Sequence, residues 1–152
     1  MFSFLRKKRS LLSEEDTRIV VKAIRHAEHQ TSGEVRVYIE SHCSWVDAID
    51  RAKEIFFSLQ MDKTEQRNAV LIYVALKDRQ LAVFGDEGIH QKVGEEYWNK
   101  VVGEMLRSFN SSNYGEGISN CAIQIGDALK EHFPFDKETD KNELPDEIVF
   151  GR

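Results

Sequence analysis

The sequence predicts an α/β protein, a three-layer α/β/α sandwich around a small mixed sheet, from three observations. "EVRVYIE" (residues 34–40) alternates apolar and polar residues at the period of a strand, whereas "AVLIYVAL" (69–76) is continuously apolar and β-branched, as a strand covered on both faces must be. A stretch of helical period separates the two, so they form a strand, crossover helix, parallel strand unit. Further helical stretches precede and follow this unit and cover the sheet.

Taken in order, Ser13 is placed to cap a first helix, with Glu14, Glu15 and Asp16 in the turn where negative charge suits the helix dipole. Ile19, Val20, Ala23, Ile24 and Ala27 form its apolar stripe, and "TSG" (31–33) ends it. In the first strand Val35, Val37 and Ile39 alternate with Glu34, Arg36, Tyr38 and Glu40, which predicts one apolar face. From Trp45 to Met61 the crossover helix carries Ala48, Ala52, Ile55, Phe56 and Leu59 on one stripe. The second strand turns at Lys77 and Asp78 into "RQLAVF" (79–84), a hairpin. Tyr97, Trp98, Val101, Val102, Met105, Leu106 and Phe109 trace a third helix. Residues 110–117 read as a polar loop, and a fourth helix runs from Ile118 to about Phe133 with Ile118, Ala122, Ile125 and Leu129 inward. The expected core comprises Val35, Val37, Ile55, Phe56, Val70, Ile72, Val74, Trp98, Val102 and Ile125.

The chain divides into a basic N-terminus (1–11), one domain (12–133) and an acidic, irregular tail (134–152). The tail holds both prolines and is expected to pack back through Leu144, Ile148 and Phe150. The domain is long enough to bury a core without disulfides. Cys43 and Cys121, 78 positions apart, read as reduced. No segment has the apolar length of a signal peptide or membrane helix, which gives the expectation of a cytoplasmic protein. Arg6, Lys7, Lys8 and Arg9 offer weak contact with an anionic surface. Setting those four aside from the 21 Lys and Arg leaves 17 against 26 Asp and Glu, a poor surface for nucleic acid.

The topology decides which loops meet. The starts of the two parallel strands, at Glu34 and Asn68, and the end of the third strand, at Gly85, Asp86 and Glu87, fall at one end of the sheet. Glu34, Asn68, Asp86 and Glu87 are therefore the candidate ligands of a hard divalent cation, Ca²⁺ or Mg²⁺, with no organic cofactor implied. The competing reading of "GDEG" (85–88) is a glycine turn whose solvated acids cap the next helix. A phosphate cradle is disfavoured, because the phosphate would meet two carboxylates with no adjacent lysine. The opposite end gathers Glu40, His42, Trp45, Lys77, Asp78 and Arg79, a mixed set in which Lys77 and Arg79 are suited to an anion or to a plain hairpin turn.

Several hydrolase chemistries are absent. Neither cysteine is followed six residues later by arginine, since Ile49 and Asp127 stand there, and there is no D-x-H, G-x-S-x-G or H-E-x-x-H. His26 and His29 share one helix, but surface histidines are the commoner explanation; His90 and His132 are isolated in sequence.

"TSGEVRV", the helix after it, "RNAVLIYVALKDRQLAVFGDEGI" and "NYGEGI" together resemble the TPM domain family, named for plant thylakoid and photosystem-repair proteins and found widely in bacteria. The similarity runs from Leu12 to Phe133, and small soluble bacterial members share the "NELPDE" tail (142–147). The resemblance implies an α/β/α sandwich, a calcium-associated acidic cleft and, in some plant members, acid phosphatase activity. Where many members read G-Y-G-L-E, this chain has Gly85-Asp86-Glu87-Gly88-Ile89, and it is expected to lack the signal peptide and anchor that many carry. The functional expectation is a non-catalytic module that binds a divalent cation and a protein partner; the alternative is a metal-assisted phosphatase of phosphomonoesters, for which no independent catalytic motif is found.

Overall fold

A computed structural model of the chain describes residues 11–135 and 148–151. The elements run α1 (Glu14–Glu28), β1 (Glu34–Glu40), α2 (Ala48–Ser58), β2 (Ala69–Ala75), β3 (Gln80–Gly85), α3 (Glu87–Val93), α4 (Glu95–Asn110), α5 (Tyr114–His132) and β4 (Val149–Phe150). The sheet order is β3-β2-β1-β4. β1 is parallel to β2 and to β4, and β3 is antiparallel to β2.

Strand alternation sorts the side chains into two layers. Val35, Val37, Val70, Ile72 and Val74 point to one face and pack with α1, α4 and α5 through Ile24, Met105, Phe109 and Ile125. Leu71, Tyr73, Ala75 and Ala82 point to the other and meet α2 through Ala52, Ile55 and Phe56. β2 is buried along its whole length, as its continuous apolar run requires. Ser13 caps α1 as expected, its hydroxyl accepting from the Asp16 N–H at 3.0 Å. Of the expected core, Val102 differs: it is half-buried and looks into an open groove.

Three local features depart from the sequence reading. The tail contributes a fourth strand, Val149–Phe150, beside Tyr38 and Ile39, and Ile148 and Phe150 pack on the larger core; Leu144 lies outside the described residues. The loop expected over 110–117 shrinks to 111–113, because Gly115 and Gly117 lie inside α5. There a Cβ at Gly117 would collide with Ser108, so this glycine permits the close approach of α4 and α5. A short helix, α3, follows directly on β3, its seven residues too few for a clear periodic signal.

The polar face of β1 is also covered rather than solvated: Glu34, Arg36 and Glu40 are buried. Glu40 accepts from Arg51 Nε at 2.9 Å and Nη2 at 3.0 Å, and from the hydroxyl of the buried Tyr73. Burial pushes the Glu40 carboxyl up, but its bonds with Arg51 and Tyr73 and the Arg51 charge outweigh that and hold it below its ordinary value. The Tyr73 hydroxyl is raised, first by burial and then by its bond to Glu40.

Two predictions follow the packing and this pair. Ile72→Ala, at the centre of β2, should cost about 2 to 5 kcal/mol in urea unfolding. Because the folded-state pKa of Glu40 is depressed, its contribution is present above the unfolded value and lost as pH falls through the folded one. Stability measured from pH 7 down to about pH 2 should therefore fall less steeply with acid in Glu40→Gln than in the wild type; parallel curves would show that Glu40 is not a source of the acid sensitivity.

Candidate functional site

β3 does not stop at Gly85. The Asp86 N–H continues the ladder to the Ala69 carbonyl at 2.9 Å, and Asp86 then becomes the N-cap of α3, its Oδ1 accepting from the Glu87 N–H at 2.9 Å. Across from it stands Arg67, whose φ of 51° lies in the left-handed region. Arg67 Nε donates to Asp86 Oδ2 at 2.6 Å, Nη2 to Asp86 Oδ1 at 2.9 Å, and Nη1 to Glu87 Oε1 at 3.2 Å. Asp86 is buried while the Glu87 side chain is 62% exposed, so one carboxylate is locked and the other is held at the surface. The fork-to-carboxylate geometry is the strong form of the interaction.

The two glycines of the turn serve packing. A Cβ at Gly85 would run into the indole of Trp98, and one at Gly88 into the carbonyls of Gln66 and Arg67. The Gly88 N–H donates to the Arg67 carbonyl at 2.8 Å, which ties the loop before β2 to the start of α3.

The structure groups the four predicted ligands into two pairs. Asp86 and Glu87 meet on Arg67. Glu34 and Asn68 meet through the main chain, the Glu34 N–H lying 3.4 Å from the Asn68 carbonyl. Asn68 Nδ2 donates to Ser32 Oγ at 3.3 Å, and its buried Oδ1 has no hydrogen-bond partner among the described residues. Glu34 and Asp86 both face Ala69 in the register, on opposite sides of β2. Two inter-strand spacings put their backbones about 10 Å apart. Among the described residues no group of three or more His, Cys, Asp or Glu is arranged to hold a metal ion. As arranged, the corner does not suit a divalent cation, because the Arg67 guanidinium takes both oxygens of Asp86.

Arg67 is the residue that the sequence reading missed. Its signal was available: the hairpin register extended from Val70 opposite Gly85 brings Arg67 opposite Gly88.

Beside this corner a groove of about 630 Å³ runs along β3, walled by Ile49, Lys53 and Phe57 of α2 and by Trp98 and Val102 of α4. Ile49 and Phe57 are 41% and 50% exposed. Lys53 Nζ lies 5.9 Å from the centre of the Phe84 ring. Trp98 Nε1 donates to His90 Nδ1 at 3.0 Å, which makes that nitrogen an acceptor. At the far end of the sheet His42 and the Cys43 N–H both reach the Asp78 carboxylate at 2.8 Å, an exposed loop clasp. His26 bonds Gln30 at 3.2 Å on the surface of α1, without His29. Among the described residues no helix is long and apolar enough to cross a membrane.

Comparison with known proteins agrees with this architecture. The chain is 38% identical to the BA42 protein of the psychrophilic bacterium Bizionia argentinensis, over 92% of this chain and 95% of that one, with a TM-score of 0.83. The N-terminal domain of the cg2496 protein of Corynebacterium glutamicum shares the fold at 11% identity, covering 88% of this chain and 80% of that one, with a TM-score of 0.62. An N-terminal domain from P. gingivalis does so at 18%, covering 83% of each chain, also with a TM-score of 0.62. No curated protein matches the sequence. The TPM domain profile matches residues 5–128, most of the chain, and the chain belongs to the TPM domain family.

Proposed function

We propose that this TPM domain is a non-catalytic binding module that engages a protein partner through the groove between α2 and α4. The observation that carries the reading is the groove itself: about 630 Å³, with half-exposed Phe57 and Ile49 on one wall and Trp98 and Val102 on the other. Apolar walls with a few placed polar groups suit recognition, and large aromatics at a concave surface are the usual anchors of an interface. The polar groups at its end are already engaged with one another, Asp86 and Glu87 with Arg67 and His90 with Trp98. That arrangement favours holding a shape over activating a water.

A divalent cation enters this reading as a competitor of Arg67. It would gain Asp86 and Glu87 as ligands only where the guanidinium leaves them. Phosphomonoester hydrolysis, the alternative class, would need the same exchange before a metal could polarise a phosphoryl oxygen.

Peptides selected by phage display on the purified protein should bind the wild type and lose affinity by about tenfold or more on Phe57→Asp, as removal of an interface anchor does. Absence of enrichment, or equal binding to both proteins, would remove the groove from the function. In calorimetric titrations Ca²⁺ and Mg²⁺ should bind Arg67→Gln more tightly than the wild type. Equal binding would mean that Arg67 does not hold the cation's place, and phosphomonoester turnover abolished by Asp86→Ala would favour the enzyme.

A further inference from the structure

β3 is an edge strand, with β2 on one side and no strand on the other among the described residues. The register shows which of its main-chain groups are left over. Because the Asp86 N–H bonds the Ala69 carbonyl, the hydrogen-bonded pairs alternate from there as Leu71 with Phe84 and Tyr73 with Ala82. The N–H and C=O groups of Leu81, Val83 and Gly85 consequently point away from β2, toward the groove that residues 81–87 line continuously. Natural proteins blunt such an edge with a bulge, a proline or a covering element. β3 has no proline, and its six residues pair with β2 without interruption.

From this geometry we propose that the partner binds as an extended polypeptide segment that pairs antiparallel with β3 and extends the sheet by one strand; the proposal rests on the groove reading above. Main-chain bonds from Leu81, Val83 and Gly85 hold the segment, and its side chains alternate between the α2 wall at Ile49 and Phe57 and the α4 wall at Trp98 and Val102. The volume of the groove lies within the range of peptide and ligand sites.

With antiparallel pairing, charge selects the ends of the segment. Glu87 and Glu95 flank the Gly85 end of β3, while Lys77 and Arg79 precede its Gln80 end in the hairpin turn. An antiparallel segment places its N-terminal end beside the acids and its C-terminal end beside the cations. A basic residue at its start and an acidic one at its end match both. A second copy of this chain is disfavoured as the occupant, because its own β3 lies recessed between the same two helix walls and two concave edges do not meet. Nucleic acid is disfavoured by the carboxylates at the groove's end.

The test uses the full chain and a synthetic heptapeptide, Arg-Val-Thr-Val-Thr-Val-Glu, together with a counterpart N-methylated at the alternate amides that would face β3. NMR titration should shift the amides of residues 80–87. Amide exchange at Leu81, Val83 or Gly85 should slow on binding, and the methylated peptide should bind at least about tenfold more weakly, as expected for loss of several main-chain bonds. Val83→Pro removes one outward N–H without touching the β2 ladder and should weaken the unmethylated peptide in the same sense. If both peptides bind the groove equally and the amides stay unprotected, strand addition is wrong while the groove reading stands. If neither peptide shifts residues 80–87, or if deleting residues 1–10 is needed before either does, a partner strand is not the occupant; the phage selection with Phe57→Asp then judges the groove on its own.

Discussion

The burial of β2 on both faces governs the rest of the structure. A strand with no polar face has no solvent side to offer, so the chain must supply two apolar layers from elements on either side of it in sequence. One layer comes from the crossover α2, which the parallel pairing of β1 and β2 demands, and the other from α1, α4 and α5. The two hydrophobic clusters take their strand residues from opposite faces of the sheet. With both faces spent in this way, variation is left to the two edges and two ends, and it is there that the charged pairs and the groove occur.

β1 shows what the arrangement costs. Its alternation was written for a sheet with one wet face, yet its polar residues are covered. The chain answers with pairing rather than with apolar substitution. Arg51, in the first turn of α2, reaches back to Glu40, and Tyr73 supplies a hydroxyl from the neighbouring strand. A buried pair of this kind adds little over an apolar isostere, but removing one partner leaves a desolvated charge behind. Such a triad ties β1, β2 and α2 together in one arrangement.

The fold was legible in the sequence wherever one period ran long enough. The run at 69–76, the alternation at 34–40 and the stripes of α1 and α4 account for their elements and for much of the core, although Ile19 and Leu106 of those stripes are exposed. What escaped is short or depends on distant residues. α3 has seven residues, and β4 has two whose only reason to be a strand is the open edge of β1. Gly115 and Gly117 read as loop residues by propensity, but tertiary packing overrides it where α4 presses against α5. At the corner, the sequence places Asp86 and Glu87 at the end of β3, but Arg67 lies two residues before β2, outside any periodic run, and is found only by extending the hairpin register past Gly85.

That arginine changes the meaning of the glycine turn. Read alone, Gly85-Asp86-Glu87-Gly88 offers small residues and two acids, the ingredients of a cradle or a metal loop. In the fold each glycine makes room for a neighbour, Trp98 for one and the loop backbone for the other, and one acid caps a helix while both face a guanidinium. A fixed charge of this kind differs from a bound ion in one respect that matters for function: its occupancy does not depend on solution concentration. With Arg67 in place the end of the groove has its shape without any bound ion, and the exposed Glu87 side chain lies beside Glu95 along the groove. A surface of this kind suits the recognition proposed above, since a preformed edge and two preformed walls would leave less ordering to be done on binding.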